Sequence, residues 1–118
     1  MESFEDFDRK LDRLMKEPTN SQLFNELGVL LYQAKDWKNS EEYFQRAYEL
    51  NSSNKDILYN YASLLYLNSK LYEAISIYKY YLEHDPNDKE VIEKARDIYY
   101  QLGEYELASK LYDQPQIV

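Results

Sequence analysis

Residues 83–88 read EHDPND, and this stretch decides the fold. Proline has no amide hydrogen and disfavours helical angles in the residue before it, so the helix that carries Leu82 should end near His84. Asp88 is a residue type that caps helices, because its side-chain oxygen accepts a hydrogen bond from a free amide of a new first turn. The stretch therefore predicts the end of one helix and the start of the next.

The same signal recurs every 34 residues, at Asn20, Asn54 and Asp88. Asparagine and aspartate both favour helix caps. The period divides the chain into repeats, and the repeats are 21–54, 55–88 and a truncated 89–113. With 118 residues in total, the chain is expected to form a single domain.

Apolar residues fall in register when the repeats are aligned. Phe24, Leu58 and Ile92 occupy one such position. Within the first repeat, residues 24–31 and 37–48 each place their apolar side chains on one face of a helix. Each repeat is therefore predicted to be two amphipathic helices, with turns at 35–36, 69–70 and 103–104.

Small residues stand where the predicted helix pairs need them. Gly103 has no side chain to clash and suits a left-handed helix end. Gly28 and Ala62 let the partner helix approach closely, and Ser40 and Ala74 have the same effect from the second helix. Because one pair this short cannot bury its apolar faces alone, neighbouring pairs are expected to stack.

The pattern resembles that of the tetratricopeptide repeat family, whose motif is W-x2-L-G-x2-Y, then A-x3-F, then proline. The matching segments are Phe24-x2-Leu27-Gly28-x2-Leu31 with Ser40-x3-Phe44, Leu58-x2-Tyr61-Ala62-x2-Leu65 with Ala74-x3-Tyr78 and Pro86, and Ile92-x2-Ala95-Arg96-x2-Tyr99 with Ala108-x3-Tyr112. Arg96 departs from the motif, which has a small residue there. The resemblance implies an all-α fold, a right-handed superhelical solenoid of antiparallel helix pairs with about three repeats.

The segments outside the repeats are expected to close or expose the ends of the stack. In residues 1–20, four apolar residues have the spacing of one helical face, so residues 3–16 are predicted to be a helix that caps the N-terminal end; a detachable docking helix is the alternative. These four are Phe4, Phe7, Leu11 and Leu14. At the other end no polar-faced helix precedes the tail 114–118. The last helix is therefore expected to continue into a longer chain or to meet another copy or a partner.

Composition argues against several function classes. Lys and Arg total 14 against 22 Asp and Glu, so the net charge is −8 and nucleic acid is not an expected partner. The chain has no cysteine for a thiolate site and only two glycines, too few for a phosphate-binding loop. No segment approaches the roughly 20 apolar residues that cross a bilayer, so we expect a cytoplasmic protein without membrane insertion.

No catalytic constellation is recognisable. His84 is the single histidine, and we interpret it as part of a helix end, where a positive charge is favoured. Acid pairs such as Glu41 and Glu42 are interpreted as solvated surface. Without a second histidine or a cysteine, no nucleophile and base can be paired. The sequence therefore predicts a protein that is not an enzyme and holds no cofactor or metal.

A binding surface is the remaining candidate. The family resemblance implies that the first helix of each repeat lines a concave groove for partner peptides. Tyr32, Tyr66 and Tyr100 would form a ladder along it, because tyrosine offers apolar contact and a hydroxyl together; packing between repeats is the alternative role. The predicted groove residues are Asn25, Val29, Tyr32, Tyr59, Asn60, Ser63, Tyr66, Glu93, Asp97 and Tyr100.

Charge and motif matching narrow the expected partner. Glu90, Glu93 and Asp97 outnumber Lys94 at one end of the groove, which favours a partner with a basic or polar segment, although solubility also explains these acids. One subset of the family grips the C-terminal carboxylate of heat-shock chaperones. Of that residue set only two positions match, Asn60 and Lys94, so the sequence argues against this ligand.

Three functions remain open from the sequence. The first is a protein-protein interaction module that binds a peptide or protein segment in the groove. The second is an assembly unit that forms homo-oligomers through its C-terminal helix. The third is a secretion chaperone for a client protein, because bacterial examples also resemble three repeats with an N-terminal helix.

Overall fold

The computed structural model describes residues 4–112, and all regular secondary structure in this range is helical, which confirms the all-α prediction. The helices are α1 (Phe4–Lys16), α2 (Ser21–Gln33), α3 (Trp37–Leu50), α4 (Lys55–Leu67), α5 (Leu71–His84), α6 (Lys89–Gln101) and α7 (Tyr105–Tyr112). The predicted tail 114–118 and the packing expected of the Phe4 and Tyr112 side chains lie outside the described residues. No helix in this range is long and apolar enough to cross a membrane.

Three of the helices begin at the predicted caps. The Oδ1 atoms of Asn20, Asn54 and Asp88 accept hydrogen bonds from the backbone amides that follow three residues later, at 3.1, 3.1 and 3.3 Å. Helix α5 ends at His84 and α6 begins at Lys89, as the proline signal predicts. Each cap contributes about 1 kcal/mol to stability.

The turns inside the helix pairs share one backbone conformation. Gly103 has a φ of 79°, which confirms the left-handed helix end predicted from its missing side chain. Lys35 and Ser69 adopt the same conformation at the two equivalent positions, with φ of 62° and 63°. These two residues carry side chains that disfavour it, so packing of the helix pairs holds both turns at a cost of about 1 kcal/mol each.

Helices pack in antiparallel pairs that stack into an elongated body with extents of 47 × 26 × 25 Å. In the first pair the Ser40 hydroxyl donates a hydrogen bond to the Gly28 carbonyl at 2.7 Å. A Cβ atom on Gly28 would lie only 2.6 Å from the buried ring of Phe44. The close approach predicted at Gly28 is therefore confirmed.

The N-terminal helix packs on the first repeat. Helix α1 lies against α2, with Leu11 and Leu14 half-buried. Lys10 Nζ donates to Glu26 Oε1 across this contact at 3.0 Å. Burial alone would raise the pKa of the Glu26 carboxyl, but hydrogen bonds from Lys10 and Gln22 outweigh it and lower that pKa. Helix α1 therefore covers part of α2.

The interpretation of Glu41 as solvated surface was wrong. Glu41 is 8% exposed and accepts hydrogen bonds from Asn68 Nδ2 at 2.8 Å and from Lys70 Nζ at 2.6 Å. Asn68 ends α4 and Lys70 precedes α5. The carboxylate is buried because it joins the first helix pair to the turn of the second, a role that spacing within one helix does not reveal.

The stack has an inner and an outer side. Helix α2 lies against α4, whereas α3 and α5 make less contact with each other. In the first two repeats, the first helices therefore touch on one side of the stack while the second helices stay further apart on the other. We call the side formed by α2 and α4, and continued by α6, the inner side.

Candidate binding groove

The inner side contains a cavity of about 440 Å³, which we call the groove. Helices α2 and α4 form most of its wall, and α6 contributes one side chain. Apolar and hydrogen-bonding groups alternate along it. The lining residues are Val29, Tyr32, Gln33, Phe44, Tyr59, Asn60, Ser63, Leu64, Tyr66, Leu67 and Lys94.

Six of the ten predicted groove residues lie together in this lining. They are Val29, Tyr32, Tyr59, Asn60, Ser63 and Tyr66. Phe44 and Leu64 also reach the cavity, although their apolar periodicity indicated only the core. Gly28 is the signal that could have identified Phe44, because the missing side chain brings that ring close to the inner helix.

Asn25 lies beneath the groove instead of on its surface. It is 6% exposed, and its Oδ1 atom accepts a hydrogen bond from Asn60 Nδ2 at 3.0 Å. This bond joins α2 to α4. Asn25 therefore orients the Asn60 amide, and Asn60 is the one of the two that lines the groove.

Tyr59 lines the groove between a carboxylate and an ammonium group. Burial raises the pKa of the Tyr59 phenol above its usual range, and the neighbouring Glu90 carboxylate raises it further through a hydrogen bond. Lys94 Nζ lies 5.9 Å from the centre of the Tyr59 ring, within reach of a cation–π interaction. The phenol therefore remains protonated at neutral pH, while Lys94 packs over its face.

Ser63 supports the floor beside Tyr59. Its hydroxyl lies 3.0 Å from the hydroxyl of Tyr78, which is fully buried. Burial raises the pKa of Tyr78 to about 12. The pair thus supplies a neutral hydrogen-bonded contact between α4 and α5 under the groove.

The three tyrosines of the predicted ladder have different environments. Tyr32 is 47% exposed and its ring packs 5.3 Å from that of Trp37. Tyr66 is half-buried, and its hydroxyl accepts a hydrogen bond from Gln101 Nε2 at 2.8 Å. Tyr100 is 64% exposed and packs edge-on against Tyr105, away from the groove lining. Only the first two tyrosines face the same cavity.

Charge is divided between the groove and its edge. Lys94 lines the cavity, whereas Glu93 and Asp97 are exposed on α6 outside the lining. The two acids therefore lie beside the groove and not in its lining.

His84 also lies outside the groove lining. Its Nδ1 atom is 3.0 Å from the carbonyl oxygen of Tyr80 in the last turn of α5, in agreement with its interpretation as part of a helix end.

A sequence profile for the tetratricopeptide repeat matches residues 10–55 and 25–89 of the chain. No curated protein sequence matches at a significant level. Among solved structures, MamA aligns with a TM-score of 0.82 at 18% identity, covering 92% of this chain and 66% of that chain. A tetratricopeptide repeat protein from Parabacteroides merdae aligns with a TM-score of 0.84 at 23% identity, covering 92% and 43%.

A third solved structure contains a peptide. The first tetratricopeptide repeat domain of Spaghetti (RPAP3), bound to the HSP90 peptide SRMEEVD, aligns with a TM-score of 0.75 at 24% identity. The alignment covers 84% of this chain and 80% of that chain. At these sequence identities the similarity establishes the fold alone. The chain spans about two thirds of the length of MamA and less than half of the length of the Parabacteroides protein.

Proposed function

Because the chain belongs to the tetratricopeptide repeat family, we propose that it is a non-enzymatic interaction module whose groove holds an extended segment of a partner protein. The observation that carries this proposal is the cavity of about 440 Å³ on the inner side. Its size and its mixture of apolar walls with a few polar groups are typical of ligand sites.

The side chains of the groove suggest how a segment would be held. Tyr32 and Tyr66 line the cavity together with the apolar Val29 and Leu64, which suits an apolar side chain of the partner. Asn60 keeps its carbonyl oxygen as an acceptor while its amide is oriented by Asn25. An amide in a fixed orientation can pair with the backbone of an extended peptide. The apolar lining would then select the side chain of the partner, and Asn60 would add affinity for its backbone.

The partner segment is proposed to be basic or polar. Glu93 and Asp97 flank the groove on α6, and the chain carries a net charge of −8. Such a field attracts cationic segments and raises their association rate. An acidic peptide like that bound by the Spaghetti domain suits this groove poorly, because Glu90 bonds to Tyr59 where a lysine would be needed.

Selection of peptides from a phage-displayed random 12-residue library tests the proposal. Peptides enriched on the intact chain should bind the Tyr59→Ala/Tyr66→Ala double variant at least about tenfold more weakly, because both rings line the cavity. Tyr32→Ala tests the same site with less risk to the core. Tyr72→Ala removes a ring that is 72% exposed outside the groove and serves as the matched control. Equal binding by the folded double variant would refute groove recognition.

Self-association is a second candidate with its own observation. Three large side chains are exposed at the α6–α7 end of the stack: Tyr100 at 64%, Tyr105 at 61% and Leu107 at 40%. A second copy could cover them. Light scattering at high protein concentration that detects only a monomer would eliminate this candidate.

A further inference from the structure

The outer side of the stack carries two clefts at equivalent places in successive repeats. The first outer cleft, of about 320 Å³, lies between α3 and α5 and is floored by α4. The second outer cleft, of about 330 Å³, lies between α5 and α7 and is floored by α6. Neither α3 with α5 nor α5 with α7 packs closely, which leaves space for both clefts. The second cleft shares no lining residue with the groove.

The repeat relation allows the two clefts to be compared position by position. On the wall of the first cleft stands Glu73, and 34 residues later Leu107 takes its place in the second cleft. At the floor, Tyr61 of the first cleft is replaced by Ala95 in the second. Leu82 likewise replaces Tyr48, whereas Tyr99 replaces Leu65 in the opposite direction. The second cleft thus has the more aliphatic lining, which makes it a better site for an apolar side chain.

The rim of the second cleft is basic in an otherwise acidic chain. Lys79 and Lys110 lie on opposite helices at its edge, together with one acid, Glu83. Position 110 is Ser76 in the first cleft. Among the residues that the structure describes, neither lysine forms an ion pair. Two exposed ammonium groups, neither of them ion-paired within residues 4–112, therefore flank the apolar walls.

We propose that the second outer cleft binds a segment of another protein in which leucine-sized apolar side chains are flanked by aspartate or glutamate. The apolar side chain enters between Leu82 and Leu107 above Ala95, and carboxylates of the segment pair with Lys79 and Lys110. This chemistry is opposite to that proposed for the groove. The module consequently holds two different partners on opposite sides of one stack.

A short peptide that fills only this cleft binds weakly. The binding free energy from a single apolar anchor and two exposed ion pairs only slightly exceeds the entropy cost of holding the peptide. The expected Kd is therefore on the order of 1 mM. Nuclear magnetic resonance detects such binding and locates it. The probe is the acetylated, amidated peptide GSDDLLDDSG, titrated into the intact ¹⁵N-labelled chain, with GSKKLLKKSG as the charge-reversed comparison.

The acidic peptide should shift the amide signals of Ala95, Leu107 and Leu111 in a saturable manner. The charge-reversed peptide should leave these signals unchanged. The Lys79→Glu/Lys110→Glu variant should bind at least about tenfold more weakly, which corresponds to about 1.4 kcal/mol. The control is Lys38→Glu/Lys89→Glu, which makes the same change in net charge at two other exposed lysines and should alter Kd less than twofold.

Several results would overturn the proposal. Equal weakening by both lysine pairs would mean that net charge alone attracts the peptide. Shifts that do not saturate, or that occur at groove residues such as Tyr59 and Tyr66, would remove the cleft as the binding site. Binding at least about tenfold tighter after deletion of residues 113–118 would assign the cleft to the chain's own C-terminal segment in place of a partner.

Discussion

Replacement of Gly28 by alanine should destabilise the protein through a collision with one ring. The new Cβ would lie 2.6 Å from Phe44 Cδ1 and Cε1, although ordinary van der Waals contact begins near 3.4 Å. Phe44 is 2% exposed and its ring must move by close to the difference. Overpacking of this kind costs about 2 kcal/mol, whereas alanine in place of glycine stabilises a helix by about 1 kcal/mol. The net loss in the free energy of unfolding is expected to be about 1 kcal/mol.

A second background separates these two contributions. In a Phe44→Val protein the Cδ and Cε atoms that meet the new Cβ are absent, so Gly28→Ala should lose the collision and keep the helix gain. The same substitution is then expected to raise the free energy of unfolding by up to about 1 kcal/mol. Urea denaturation of all four proteins gives the coupling between the two positions.

The sign of the effect decides whether the reasoning is right. An equal change in both backgrounds, within about 0.3 kcal/mol, would mean that Phe44 does not limit residue 28. Since Phe44 also lines the groove, the displaced ring should in addition weaken peptides selected on the intact protein. The double variant should recover part of that binding, because valine has no Cδ atom that the new methyl group would push into the cavity.

Three further predictions concern backbone conformation, pH and the joint between repeats. Gly103→Ala should cost about 1 kcal/mol in urea denaturation because its φ is 79°, and Ser69→Gly, at the equivalent turn, should gain up to about 1 kcal/mol. Burial raises the pKa of both Tyr61 and Tyr78 to about 12, so the folded state is stabilised while these phenols are neutral. This contribution is complete below the unfolded pKa of about 10 and is lost as pH rises through about 12. Urea denaturation midpoints measured across that pH range should fall accordingly. Glu41→Ala should cost about 2 kcal/mol by removing two hydrogen bonds, while Glu73→Ala, an exposed glutamate one helix pair later, should change stability by less than about 0.5 kcal/mol.

The helices and their ends were readable from the sequence because they depend on local chemistry. Asn20, Asn54 and Asp88 cap helices with their own side chains, and Gly103 turns left-handed because it has no Cβ. By contrast, Lys35 and Ser69 adopt the same turn against their own preference. Their conformation follows from the packing of the helix pairs, and the residue types at these turns do not indicate it.

The candidate groove was predictable in part for a similar reason. The periodicity of the first helices identified a shared face, and six of its ten proposed residues line one cavity. Periodicity alone did not indicate that Asn25 is covered while its partner Asn60 is open. Nor did it indicate that Tyr100 turns to Tyr105, because both outcomes depend on contacts between residues far apart in the chain or in different helices.

By itself the sequence determined the repeat, because cap residues and apolar residues recur with a period of 34 residues. Only the tertiary structure decided which side chains meet across repeats: the buried Glu41 with Asn68 and Lys70, and the outer cleft with Lys79 and Lys110 at its rim. The physical reason is that exposure and charge pairing depend on how closely neighbouring helix pairs approach. That distance results from packing the whole stack, in which α2 and α4 touch on one side while α3 and α5 stay further apart on the other.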